Sequence, residues 1–245
     1  DQASNIEYMS ASQVKAFRKC EAAALAELRG EYVREDTTAL LVGSYVDAHF
    51  SNRLDLFKAK HPEIFTRQGD LKAEYRNAED IIARIERDPF MMKYLAGEKQ
   101  VIMTRELFGH PFKVMVDSYH PGKAIVDLKV MRDFASVYTP ECGRQTFIEA
   151  WGYDLQGAIY QAVEGNKLPF FIAGATKEKV PDIAVIAVPQ EVLDAALMIV
   201  EHTVDLIAAV KSGAIEPTRC EKCDYCKQTK VLTAVTDMAD LDGAA

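Results

Sequence analysis

No apolar run in this chain is long enough to span a bilayer, and its start shows no secretory-signal pattern. Those absences exclude helical membrane spans and create the expectation of a cytoplasmic protein. Internal repeats and low-complexity tracts are also missing. Basic residues are in deficit: 29 Lys and Arg stand against 37 Asp and Glu, a formal charge of −8. That balance excludes a generally basic nucleic-acid coat. It leaves open an enzyme that meets phosphates through bound cations and a local basic patch. Cysteines are few and odd in number: Cys20, Cys142, Cys220, Cys223 and Cys226. Without an export signal, such a count argues for a reducing compartment and metal or cluster ligation rather than a disulfide framework.

What is present is globular composition, 49% hydrophobic and 27% charged, which over 245 residues suffices to bury a sizeable core. We expect one α/β domain: a helical part over 9–98, a core over 99–212, a cysteine-rich segment over 213–230 and an acidic, Ala-rich tail over 231–245.

The core is organised around residues 112–129, FKVMVDSYHPGKAIVDLK. Two β-branched, apolar runs, Phe112–Tyr119 and Lys123–Val130, flank the turn residues His120-Pro121-Gly122 and predict a β-hairpin. Alternation along the second strand puts Asp127 and Lys129 on one face and Leu128 on the other. Pairing through the turn lets Asp117 approach Asp127. Two carboxylates and a nearby ammonium suit divalent-metal hydrolysis of a phosphodiester: the carboxylates take a hard cation, and the lysine orients water or steadies developing charge. In isolation, Asp-x-Lys on a strand is usually a solvated face, so this reading needs support elsewhere.

Upstream, Ser10 and Gln13 form a capping-box pattern opening a helix from about Ala11 to Arg29, ended by Gly30. A second helix is expected from about Ala39 to Lys60. It contains Gly43, unfavourable in a helix by about 1 kcal/mol and calling for a close approach by backbone or ligand. It also contains His49, which by itself reads as a satisfied histidine. Residues 61–75 read as irregular; helices are expected over Ala73–Arg87 and after Pro89, where Met91 and Met92 read as core filler. Gln100–Leu107 reads as a third strand of an antiparallel meander. Phe134–Tyr138 reads as a sheet cap and Pro140–Arg144 as loop. A helix over Ala150–Glu164 carries Gln156 and Tyr160, four apart and on one face. Two strands, Phe170–Ala175 and Ile183–Val188, precede a long helix from Gln190 to Lys211.

Cys220, Cys223 and Cys226 form C-x2-C-x2-C. Three thiolates at this spacing converge on one inorganic centre, with Cys20 or Cys142 as the fourth ligand; Cys20 is attractive because it would tie the first helix to the chain's end. The spacing points first to a 4Fe-4S cluster, then to a structural zinc ion, then to unligated thiols. Cys142 reads as a bystander.

Several separated motifs coincide with one family. Gly43-Ser-Tyr-Val-Asp-Ala-His49, Val114-Met-Val-Asp117, Ile125-Val-Asp127-Leu-Lys129, Gln156-Gly-Ala-Ile-Tyr160 and Met9-Ser-Ala-Ser-Gln-Val-Lys-Ala-Phe-Arg-Lys-Cys20 occur in order. Together they resemble the RecB-like branch of the PD-(D/E)xK nuclease superfamily over residues 9–227. The likeness is strongest to phage and prophage RecE-like exonucleases and to CRISPR-associated RecB-like iron–sulfur nucleases. The resemblance implies a restriction-endonuclease-like core, a central mixed sheet flanked by helices. It implies metal-dependent DNA exonuclease activity in phage-type recombination or repair, with CRISPR-adaptation trimming or a non-catalytic DNA-binding subunit as alternatives. It assigns His49, Asp117, Asp127 and the Leu128 backbone carbonyl to Mg²⁺ or Mn²⁺, Lys129 to the attacking water and the phosphate, and Gln156 and Tyr160 to positions beside them. It assigns Cys20, Cys220, Cys223 and Cys226 to the cluster. The implied partners are linear DNA ends, a single-strand annealing protein and further copies of the chain, in a bacterial or phage-infected cytoplasm. Two departures stand out. Related nucleases often space the last cysteine further on, and no single run here concentrates basic residues.

Overall fold

A computed structural model describes residues 2–139, 142–235 and 237–238. The helices are α1 (Gln2–Glu7), α2 (Ala11–Lys19), α3 (Glu21–Arg29), α4 (Thr38–Phe50), α5 (Leu54–Lys60), α6 (Asn77–Glu86), α7 (Pro89–Tyr94), α8 (Phe147–Ala150), α9 (Tyr153–Glu164), α10 (Gln190–Ser212) and α11 (Asp224–Gln228). The strands are β1 (Glu98–Leu107), β2 (His110–His120), β3 (Ala124–Met131), β4 (Val137–Thr139), β5 (Gly143–Gln145), β6 (Phe170–Thr176) and β7 (Ile183–Ala187).

Five strands form a mixed sheet in the order β1-β2-β3-β6-β7. The expected meander is present: β1, β2 and β3 pair antiparallel. β3 pairs parallel with β6, and β7 returns antiparallel. A parallel neighbour requires a crossover, and α9 lies on it. β3 is therefore central and covered on both faces, as its almost unbroken burial shows. On one face, Ile125, Phe170 and Ile172 pack with Val14 and Phe17 of α2, Ile159 of α9 and Val200 of α10. On the other, Val126, Leu128 and Ala173 pack with Val42 and Val46 of α4 and Ile81 and Ile85 of α6. Met91 and Met92 belong to this second core, as expected of filler.

Three expected helices are interrupted. The first breaks at Cys20, which is extended at φ −165 and both ends α2 and precedes α3. Apolar spacing continues across the break, so periodicity alone did not reveal it. Ser10 caps α2 through the Gln13 N–H at 3.3 Å, but Gln13 does not reciprocate; its amide donates to the Asn5 carbonyl. The second ends at Phe50, where Asn52 turns the chain at φ 58, a region asparagine tolerates. The third starts late: its first residue, Ala150, closes the short α8, and Trp151 and Gly152, the latter at φ +63, separate it from α9. Part of the expected loop is instead a small hairpin, β4–β5. Pro140 and Glu141, and most of the expected tail beyond residue 235, lie outside the described residues.

The seating of α9 depends on Gly157. A Cβ there would lie 2.4 Å from a Phe170 ring carbon, and Phe170 is almost wholly buried. Helix and sheet approach this closely only without a side chain between them. Gly157→Ala is expected to destabilise the fold by about 1–3 kcal/mol through overpacking, despite alanine's better helix propensity. Urea unfolding checks this; a midpoint equal to or above wild type would refute the close-approach account.

Candidate active site

The site forms where the β2–β3 ladder stops. Ser118 pairs with Val126, and the next opposed residues are Asp117 and Asp127. There a side chain replaces the backbone partner: Asp117 Oδ2 accepts the Leu128 N–H at 3.0 Å, and Oδ1 accepts from Gln100 Nε2 at 3.1 Å. Gln100 itself sits at φ 53 within β1, a strained conformation of the kind that clusters at functional sites. Because N–H and C=O of one strand residue point the same way, the Leu128 carbonyl also turns toward this gap.

Asp127 is buried, and its Oδ1 accepts from Gln156 Nε2 at 2.8 Å. Its Oδ2 lies 2.5 Å from Lys129 Nζ, an ion pair. The second amide hydrogen of Gln156 reaches Tyr160 Oη at 3.1 Å, so α9 holds Asp127 through a two-residue brace. These groups face a cavity of about 800 Å³. Lys15, Lys113, Lys129 and Lys177 line it from four separate segments. The acidic chain thus has a locally cationic cleft that no single run of sequence displays.

Two residues enter that were not anticipated. Asp47 of α4 lines the cavity, whereas His49 does not. His49 Nε2 lies 2.7 Å from Glu86 Oε1, and the side chain is not among those lining the cavity. The signal was available: Gly43 and Asp47 are four apart and share a helix face, while His49 is turned about 200° from Asp47. Gly43 lines the cavity too, and a Cβ there would meet Val130 at 3.8 Å, so protein packing alone does not demand glycine. The other addition is Lys15, whose Nζ donates to Gln156 Oε1 at 3.3 Å. Nothing in its local sequence marked it.

Electrostatics reflect crowding. Burial, then Asp127, hold Asp117 well above the usual carboxylate range. Asp47 is raised by burial and by Asp127, against the pull of Lys129. Burial opposes the charge on Lys129, but Asp127 and Asp117 outweigh it and push the pKa up to about 12. Burial, then repulsion from Lys129, bring Lys15 down to about 8. Burial, then Asp127 and Asp117, raise Tyr160. Three carboxylates facing one cavity, with Asp117 and Asp47 raised by burial and by Asp127, fit a hard divalent cation, which would relieve both burial and repulsion.

At the far end of α2, the Sγ atoms of Cys20, Cys220, Cys223 and Cys226 all lie within 4.8 Å of one another. Cys20 is the fourth member; Cys142 is exposed and apart. Although burial opposes it, the backbone N–H groups of Lys222 and Cys223 hold Cys220 down at about 6, favouring the ligating thiolate. The sulfurs are close-set: Cys226 Sγ is 3.6 Å from Cys20 and 3.9 Å from Cys220. A single tetrahedral ion with bonds of about 2.3 Å sets its sulfurs about 3.8 Å apart, whereas a cubane seats each thiolate on a different iron and spreads them further.

The family model for a PDDEXK-like domain of unknown function (DUF3799) matches residues 10–229. The chain belongs to this family. The crystal structure of a candidate exonuclease from Eubacterium rectale is 50% identical, with TM-score 0.94, covering 98% of this chain and 95% of that chain. The crystal structure of SSO0001 aligns over 86% of this chain and 94% of that chain at 12% identity, with a TM-score of 0.34 that establishes no shared fold. No curated protein matches significantly. The mixed sheet and its flanking helices are thus a restriction-endonuclease-like core of the PD-(D/E)xK superfamily, and family and neighbour together support a nuclease.

Two outcomes are expected. Between pH 8 and the ordinary lysine value of 10.5, the unfolded chain keeps a proton on Lys15 that the folded protein has released. Stability from this group therefore rises with pH across that window, and Lys15→Met removes the rise. Urea midpoints of both proteins across the window test this; identical pH slopes would refute it. Separately, stripping metal from the cysteine centre with a chelator should lower the thermal midpoint, because the centre ties the α2–α3 break to the C-terminal segment. An unchanged midpoint in a verified metal-free sample would contradict that tie.

Proposed function

We propose that this protein is a divalent-metal-dependent deoxyribonuclease that degrades linear DNA from its ends. The observation that carries this is the pair Asp117 and Asp127 at the parting of β2 and β3, with Lys129 beside them, facing a lysine-lined cavity. Asp117, Asp127, Asp47 and the Leu128 carbonyl would hold Mg²⁺ or Mn²⁺. When bound, such an ion offsets phosphate charge and makes water a stronger nucleophile at neutral pH. Lys129, tied to Asp127 and about one-fifth exposed, is placed to orient the attacking water and meet charge developing on the phosphate. Gln156 fixes the orientation of Asp127, and Tyr160 fixes Gln156.

The exonucleolytic mode draws on the name of the Eubacterium rectale relative. Phage-type recombination or repair in a bacterial cytoplasm, beside a single-strand annealing protein or in a ring of copies, extends the RecE-like resemblance. None of the described helices is long and apolar enough to cross a membrane. The cysteine centre is structural in this reading. Sequence spacing favours 4Fe-4S, while the sulfur separations favour one tetrahedral ion such as zinc; metal analysis of anaerobically purified protein separates iron from zinc.

End-labelled linear DNA should be degraded with Mg²⁺ or Mn²⁺ and left intact in EDTA. Asp127→Ala and Lys129→Ala should each lose roughly 10²-fold or more in rate. A wild type that is inert with both metals yet retards DNA on a gel would replace this reading with a DNA-binding subunit.

A further inference from the structure

The cavity contains a cation that the reaction outlined above does not use. Lys15 rises from the second turn of α2, half-buried, with Nζ 5.6 Å from the centre of the Tyr153 ring and 3.3 Å from Gln156 Oε1. Lys129 Nζ lies over the same ring at 5.4 Å. The two ammoniums differ in their partners. Lys129 is paired with Asp127 at 2.5 Å. Among the described residues, no carboxylate lies within ion-pair distance of Lys15. A cation drawn out of water beside another cation, with Asp127 and Asp154 attracting it only from beyond ion-pair contact, is costly. The depressed pKa of about 8 is the measure of that cost.

The backbone is nevertheless built around this side chain. Gly152, at φ +63, precedes α9, and a Cβ there would lie 2.8 Å from Lys15 Cδ and 3.3 Å from Cγ. The stem of Lys15 occupies the space a side chain at 152 would need. From the other side, α2 is anchored to the strand that carries Asp117. The Met9 N–H donates to the Pro111 carbonyl at 2.8 Å, and the Lys113 N–H donates to the Met9 carbonyl at 2.9 Å. Lys15 is thereby held in register with the carboxylates, hydrogen-bonded to a neutral amide rather than ion-paired.

We propose that Lys15 is a second catalytic cation, which donates a hydrogen bond to a non-bridging oxygen of the scissile phosphodiester. This rests on the nuclease reading above and adds a residue to it. The charge of Lys129 is largely offset by Asp127, so Lys129 orients more than it neutralises. Lys15, which forms no ion pair, answers the negative charge that grows on the phosphoryl oxygens as the attacking water adds. No bond to Lys15 forms or breaks, and its proton stays on nitrogen. Gln156 links the two halves of the site, bracing Asp127 with one amide hydrogen and Lys15 with its oxygen.

The test compares wild type, Lys15→Met and Lys15→Arg in cleavage of end-labelled DNA with Mg²⁺ and Mn²⁺. Binding of the same DNA in EDTA is followed by fluorescence anisotropy, and thermal midpoints verify folding. Lys15→Met should fold, lose roughly 10²–10³-fold in kcat and bind the DNA more weakly, while Lys15→Arg should restore most of the rate. Lys15→Met with wild-type kcat overturns the proposal. So does Lys15→Arg as inactive as Lys15→Met in a folded protein, because charge would then not be what matters. An inert wild type brings down the nuclease reading instead. In that case, unchanged DNA binding by Lys15→Met overturns the phosphate contact as well, and binding lost by roughly tenfold or more upholds it apart from hydrolysis.

Discussion

The site depends on one substitution of partners: a carboxylate takes the place of a strand. Where β2 and β3 part, Asp117 accepts the Leu128 N–H that a backbone carbonyl would otherwise take. The ladder is kept from fraying, and the space between the strands becomes a cleft rather than sheet. Asp127 and Lys129 project beside that cleft because β3 is central and its alternation is enforced by cores on both faces. A slip of one residue would bury Lys129 and expose Leu128, so the same packing that stabilises the sheet sets the chemistry.

The second constraint is the crossover that carries α9. Parallel pairing of β3 with β6 obliges the intervening chain to leave the sheet and return, and α9 is pressed against Phe170 at Gly157. Gln156 is next to that contact. Its two amide hydrogens are committed to Asp127 and Tyr160 and its oxygen to Lys15, which leaves the amide no freedom to rotate. A neutral residue is well suited here: it can brace an anion with one end and a cation with the other without adding charge to a crowded site.

Charge placement explains how an acidic chain presents a cationic cavity. The lysines on its wall come from α2, β2, β3 and the segment after β6, so they sum only once folded. Asp117 and Asp47, in turn, are pushed toward their neutral forms by burial and by the neighbouring Asp127, a tension that a divalent cation resolves. The cysteine centre sits at the break between α2 and α3, five residues beyond Lys15, and so ties the helix that bears Lys15 to the C-terminal segment.

Much was legible in the linear chain because the relevant signals are local. The hairpin followed from β-branched runs around His120-Pro121-Gly122, the pair Asp127 and Lys129 from strand alternation, Gln156 and Tyr160 from helical spacing, and the three late cysteines from their own interval. Tertiary structure alone decided the rest. The break at Cys20 was invisible because apolar periodicity runs through it, and the thiol leaves the helix to meet partners some two hundred positions later. Asp47 lines the cavity and His49 does not because helix rotation, not residue type, selects which side chain faces it. Lys15 was unmarked because its role depends on Tyr153, Gly152 and Gln156, all distant in sequence. Sequence determines which groups each element can offer; only the packing of elements decides which of those offers meet.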